Sequence, residues 1–527
     1  MRDFHSGGRS PVYAANGMAA TSMPQATLTA IEILKAGGNA LDAAIAASAV
    51  LAVVEPQSTG VGGDLFCLYA PADSSEPIAL NGSGRAPAGL SLEALAGQGL
   101  LSYDGTSAHA VTVPGGVSAW ETLAKTFGRK GLDELLRPAI GFAENGYVVA
   151  PRVAVDWARL KGKLKQNGAD IFLPNGTAPE AGTLMRNPQL AATLRAIARD
   201  GAKAFYTGPI AAKIASDLRA RGGFHTEEDF AAGLELAEFV TPICRTFAGH
   251  NVWECPPNGS GIIALMLMGI MDGFATDADP LGPLRLHRHV EAARLVYRDR
   301  DAFLADPAYT EVPVAHLLSD AYIRGLRGLI CDGHVLATLP AAGSMQQDTV
   351  YVSVVDSDGN ACSFISSIFE GFGSGIVAGD TGIVMHNRGL SFSMKPGHPN
   401  QVAPKKRPMH TIIPAMADGN GKSRVVFGVM GGQYQPMGQS WVLANLLQYG
   451  LDPQEALDLP RIFPFAGKVE VENGISATTR SLLASKGHQL SDAELPLGGG
   501  QMIVIDRERG ILIGGSDSRK DGCALGY

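Results

Sequence analysis

Residues Ser344–Phe364 read SMQQDTVYVSVVDSDGNACSF, and this run decides the fold. After the polar QQD the chain alternates. Val350, Val352 and Val354 fall on one side, Tyr351, Ser353 and Val355 on the other. A period of two among β-branched and aromatic residues predicts a strand, and Asp358-Gly359-Asn360 predicts the hairpin turn that ends it. Thr349 is the first residue of that strand, where a β-branched side chain is ordinary. The polar stretch just before it, LPAAGSMQQD (339–348), joins a helix-rich two-thirds to a strand-rich third. It reads either as a linker or as a processing site.

Outward from this strand, residues 24–54 predict two packed helices. The first carries Leu28, Ile31 and Leu34 on one face and stops at Gly37-Gly38. The second starts near Asn39 as a cap and runs to Glu55-Pro56. GVGGDLFCLYAP then reads as a tight glycine turn into a strand. Further helices are expected at 116–145, 188–220 and 285–304, strands at 248–254 and 350–356, and one helix at 440–450. Strand and helix alternate irregularly, which favours an α+β layering over a doubly wound sheet.

The chain has 527 residues, 46% hydrophobic and 18% charged, enough to fill a large core. Its net charge is −8, from 43 Lys and Arg against 51 Asp and Glu, with no basic run. Nucleic acid is therefore not an expected partner. The most apolar segment, Ala40–Gln57, contains Asp42 and is too short to span a bilayer, so no membrane association is expected. The N-terminal residues lack the apolar core of a signal peptide. None of the six cysteines forms a CxxC pair, and their spacing suits neither zinc nor a disulfide framework. A cytoplasmic protein with reduced thiols and no cofactor is the expectation.

Most short motifs fail on inspection. GxSxG and HExxH are absent. GNGKS (419–423) has Met416 where a phosphate-binding loop needs its first glycine, so a hairpin turn is expected. GSGIVAG (373–379) lacks the helix a dinucleotide site requires. His287 and His289 flank Arg288 in a helix. What remains is VMGGQYQPMG, where Gly431-Gly432 separates a strand from a helix. Adjacent glycines there form either a tight turn or a pair of converging backbone N–H groups.

Taken together, these residues resemble the γ-glutamyltransferase family of N-terminal-nucleophile hydrolases. The resemblance runs nearly end to end. It includes ILKAGGNALDAAIAASAVLAVVEPQSTGVGGDLF, EAARLVYRDRDAFLADP, DTVYVSVVDSDGNACS, GFGSGIVAGDTGIVMHN, KKRPMHTIIPAM, VMGGQ and GGSDSRKDGCALGY. It implies an α+β fold, a four-layer αββα sandwich, made as one precursor. That precursor would cut itself between Asp348 and Thr349 into a heterodimer of residues 1–348 and 349–527 sharing one core, with any higher oligomer left open. Thr349 would then carry both nucleophile and base, because cleavage frees its α-amino group. Gly431 and Gly432 match the family's oxyanion glycines, and Ser367 takes the place of a threonine that bonds the nucleophile.

The departures concern the substrate. The glutamine and aspartate that hold a γ-glutamyl group are replaced by Arg388 and Ser391. The arginine for the α-carboxylate falls on Ser83, with Arg85 two positions on, and an asparagine falls on Phe369. Tyr434 joins Arg388, Ser391 and Arg85 as expected substrate-binding residues. Arg388 is either a structural ion-pair partner or a bidentate grip for a carboxylate. The segment 392–408 is shorter than in members with a lid loop, which favours hydrolysis over transfer. The resemblance points to the acylase-like branch and to a small carboxylate-bearing amide without an α-amino group. Oxamate, an intermediate of purine breakdown, satisfies that description. A γ-glutamyltransferase or glutathione hydrolase, a cephalosporin (glutaryl) acylase and an inactive binding homologue are the alternatives. A denaturing gel of the purified protein should show two fragments, the smaller beginning at Thr349; one uncut, inactive band would favour the binding homologue.

Overall fold

The alternating run forms the strand Val350–Val355. It returns through a turn with Gly359 at φ +86° into Ala361–Ser367, pairing Val350 with Ser366 and Val355 with Ala361. The turn is held by the Asp356 carboxylate, which accepts from the backbone N–H of Asp358 and Asn360, both at 3.0 Å. The structure is a computed structural model describing residues 8–165, 167–336 and 349–527; Asp348 and the stretch 339–348 lie outside the described residues.

Two seven-stranded sheets make the centre. One runs Cys523–Gly526, Met18–Thr21, Val350–Val355, Ala361–Ser367, Asp64–Ala70, Ile78–Gly82 and Glu238–Val240 in spatial order. The other runs Val12–Ala14, Ile511–Ser516, Gly499–Asp506, Ser423–Met430, Ala415–Gly419, His250–Glu254 and Ile243–Phe247. Both are antiparallel, and each draws strands from either side of Thr349.

The alternation read from the sequence sorts the layers. Tyr351 and Val355 point between the sheets, where they pack with Phe66, Ile365, Met416, Val426 and Ile503. Val350, Val352 and Val354 point the other way, into a cluster containing the helix Ala40–Val54. All fifteen residues of that helix are buried, which its many alanines allow by letting the backbone approach closely. Asn39 caps it reciprocally with Asp42, and Asp356 from the hairpin turn accepts from the N–H of Ala40 at 2.9 Å. The second sheet is covered by Gly261–Met271, Pro283–Phe303 and Gln435–Leu447. The order is helix, sheet, sheet, helix: the four-layer sandwich expected.

Several element boundaries differ from the sequence reading. The stretch 116–145 is three helices, Gly116–Phe127, Leu132–Leu135 and Arg137–Asn145. The stretch 188–220 also divides in three, at Gly201 and Gly208, whose φ of +70° and +73° no helix can continue through. The helix expected at 440–450 begins at Gln435, and the last third holds Pro453–Asp458 and Ala477–Ser485 as well. GNGKS is the predicted hairpin turn, with Asn420 and Gly421 at positive φ.

Gly428 is a point of close approach between the sheets. A Cβ there would lie 2.3 Å from Cε2 of Tyr351. Gly428→Ala should therefore cost about 1–3 kcal/mol by overpacking. Tyr351→Leu in the same chain should restore part of the loss, measured as non-additive shifts in thermal denaturation.

Candidate active site

Thr349 stands at the head of its strand with its side chain 1% exposed. The register that pairs Val350 with Ser366 brings it level with Ser367. The Thr349 hydroxyl donates to Ser367 Oγ at 3.3 Å, and Ser367 Oγ also accepts from the N–H of Phe369 at 2.8 Å. Phe369 itself sits at φ +76°, a conformation that costs a bulky residue energy and persists only where its surroundings enforce it. On the other side, Gln435 Nε2 donates to Thr349 Oγ1 at 3.5 Å.

Gly431 and Gly432 follow the strand Ser423–Met430 of the opposite sheet, at φ +123° and +52°. These angles favour glycine and turn the chain through the short 3-10 segment Gly432–Tyr434 into the helix that starts at Gln435. A cavity of about 320 Å³ opens at this junction. Thr349, Gly371, Met430 and Gly431 line it together with charged residues, Arg159, Glu470, Glu494 and Lys520 among them, and with the apolar run 495–497. Arg159 pairs with Glu494 at 3.4 Å. Burial, with Glu494 nearby, raises the Glu470 carboxyl above its usual range.

The expected substrate residues divide. Arg388 is fully buried. Its Nη1 donates to Thr411 Oγ1 at 2.9 Å, and its guanidinium lies 4.1 Å from the centre of the Phe369 ring. Its Nε and Nη2 find no acceptor among the described residues, and neither does the buried Ser391 Oγ. Burial, only partly offset by Asp64 and Glu370, lowers Arg388 to about 9. Arg85 instead reaches Asp306 at 3.4 Å and the Lys405 carbonyl at 3.2 Å. Tyr434 is buried in the helical layer with its ring edge-on to Phe463, and does not line the cavity.

Three residues escaped the sequence reading. Asp64, at the end of the glycine turn, is buried and accepts from the N–H of Gly84 at 3.0 Å, of Gly115 at 3.1 Å and from His410 Nε2 at 3.0 Å. His386 Nδ1 lies 3.6 Å away. Burial alone would raise Asp64, but His386, His410 and Arg388 outweigh it and hold the carboxyl at about 2. Burial and Arg388 together lower His410 to about 3 despite Asp64. Gln435 is the third. The only sequence signals were an acid after GVGG and polar residues in otherwise apolar blocks. Neither follows a periodicity, because their partners come from distant parts of the chain. Among the described residues no group of three or more His, Cys, Asp or Glu could hold a metal ion.

The fold and a threonine-headed strand define a class: amide-bond hydrolases with an N-terminal nucleophile. The chain belongs to the gamma-glutamyltranspeptidase family, which it matches over residues 26–527. It is 36% identical over 507 residues to the glutathione hydrolase-like YwrD proenzyme of Bacillus subtilis, covering 94% of this chain and 95% of that one. It is likewise 36% identical over 528 residues to the oxamate amidohydrolase proenzyme of Klebsiella pneumoniae, covering 97% and 98%. The crystal structure of a cephalosporin acylase from Bacillus halodurans matches with a TM-score of 0.92 at 39% identity, over 100% of this chain and 98% of that one.

The buried Asp64–His410 pair gives the site a predicted acid limit. Both groups are depressed below ordinary values of about 3.9 and 6.5, so the native state binds fewer protons than the unfolded chain. Their contribution is complete above the unfolded values. For His410 it falls away from about pH 6.5 towards 3, and for Asp64 from about pH 4 towards 2. Thermal denaturation should show stability dropping through this range, and His410→Gln should flatten the upper part of the curve.

Proposed function

We propose that the chain cuts itself between Asp348 and Thr349 and that Thr349 then hydrolyses a small carboxylate-bearing amide, oxamate first among them. The observation that carries the reading is the joint placement of Thr349 and Arg388. The nucleophile's partner, Ser367, is two residues before Phe369, whose ring stacks on Arg388. Two of the Arg388 guanidinium nitrogens are buried without an acceptor among the described residues, and so, three positions on, is the Ser391 hydroxyl. An unmet buried donor is costly, and a carboxylate is the group that would satisfy this set. No carboxylate is offered at position 391 to grip an ammonium, so a γ-glutamyl group is the poorer fit.

The chemistry follows from the residues. The free α-amino group of Thr349, with a reference pKa of about 7.7–8.0, takes the hydroxyl proton as Oγ adds to the amide carbon. Backbone N–H groups at Gly431 and Gly432 stabilise the oxyanion. The C–N bond breaks, ammonia leaves with the proton, and water then opens the threonyl ester to release oxalate. The relative named for oxamate hydrolysis supports this choice among the family's chemistries. All six cysteines are free thiols, which suits a reducing, cytoplasmic setting. Among the described residues no helix is long and apolar enough to cross a membrane.

Ammonia release should be fastest from oxamate in a panel that includes glutaryl and γ-glutamyl amides; faster turnover of glutathione would overturn the substrate. Arg388→Gln should lower kcat/KM for oxamate by roughly tenfold or more while leaving self-cleavage intact.

A further inference from the structure

The helix that follows the glycine pair does more than carry Gly431 and Gly432 into place. Gln435 and Gln439 are one turn apart on it, both buried, and both bond the backbone of Ile413, one at its N–H and the other at its carbonyl. Ile413 N–H donates to Gln435 Oε1 at 3.1 Å, and Gln439 Nε2 donates to the Ile413 carbonyl at 2.8 Å. A backbone N–H can only donate, so the Gln435 carbonyl oxygen must face Ile413. The amide nitrogen is then forced to the other side, where it meets Thr349 Oγ1 at 3.5 Å. Neither a rotamer change nor an amide flip is available without orphaning a buried group.

We propose that Gln435 is a catalytic hydrogen-bond donor to the oxygen of the nucleophile, aimed by the Ile413 N–H. The proposal rests on Thr349 being that nucleophile. Its N–H fills one lone-pair direction of Oγ. When the proton leaves Oγ in attack, negative charge grows on that oxygen and the donor stabilises it. The same holds in reverse during deacylation. Water adds to the ester carbon, the C–Oγ bond breaks, its electron pair returns to Oγ, and the oxygen regains its proton. A donor already pointing at Oγ assists the departure of this leaving group. Charge develops on Oγ in the transition state and not in bound substrate, so the effect belongs in kcat and not in KM.

Two variants test this in the full chain, with oxamate as substrate. Gln435→Met keeps the length and removes the donor. It should lower kcat about tenfold or more with KM within about twofold. Gln435→Glu keeps an acceptor for Ile413 N–H and regains a donor only when its carboxyl is protonated. The ratio of its activity to that of the unaltered enzyme should therefore rise as pH falls. A merely structural residue would not move that ratio. Should Gln435→Met fail to fold, the pH dependence of the Gln435→Glu ratio decides the question alone. A kcat within twofold of the unaltered enzyme for Gln435→Met, or a flat ratio for Gln435→Glu, overturns the proposal. An unaltered protein that neither cuts itself nor releases ammonia from any amide would instead overturn the reading of Thr349 on which it rests.

Discussion

Tyr351 lies against Gly428 so closely that the two sheets meet with no room for a methyl group between them, and the head of the strand depends on that contact. Tyr351 is two residues into the stretch led by Thr349. Its hydroxyl bonds Ser363 Oγ at 2.6 Å on the neighbouring strand, and Ser353 donates across the gap to the Val426 carbonyl at 3.2 Å. A slip of one residue would turn Tyr351 and Ser353 towards the alanine-rich helix and lift three valines into their place. With the register fixed, Thr349 can only stand beside Ser367, facing the turn that carries Gly431. Thr349 is thus positioned by inter-sheet packing, and its immediate hydrogen bonds to Ser367 and Gln435 refine what the packing imposes.

The fold was legible wherever a period was clean. The alternation of 350–355 foretold both faces of its strand, and Asn39 foretold the start of its helix, because these signals are local. The breaks inside 116–145 and 188–220 were not, although Gly201 and Gly208 stood in plain view. A glycine tolerated within a helix and a glycine at positive φ look alike until tertiary contacts choose between them. The start at Gln435 differs for a similar reason: the positive-φ glycines lead through a 3-10 segment, Gly432–Tyr434, that winds straight on into the helix.

Of the candidate site, the family resemblance named Thr349, Ser367 and the glycine pair, all at element ends; periodicity alone left Thr349 an ordinary strand residue and the glycines a possible tight turn. The sequence was silent on Gln435, Asp64 and His410, whose roles come from partners tens to hundreds of positions away: Thr349 for Gln435, and each other for Asp64 and His410. Arg85 and Tyr434 show the converse. Their residue types suit a substrate, yet the structure commits Arg85 to Asp306 and Tyr434 to the packing around Phe463. Arg388 is the intermediate case: it pairs with no carboxylate within ion-pair distance among the described residues, and it is not among the residues lining the cavity beside Thr349.

The central claim is that a single hydroxyl, that of Thr349, takes the acyl group. Acid quenching of the enzyme during turnover of oxamate, followed by peptide mapping of the small fragment, reads this directly. The account predicts the oxalyl mass increment on the N-terminal peptide that begins at Thr349, attached to the side chain and lost on brief treatment with hydroxylamine. Ammonia release with the increment on any other residue would contradict it.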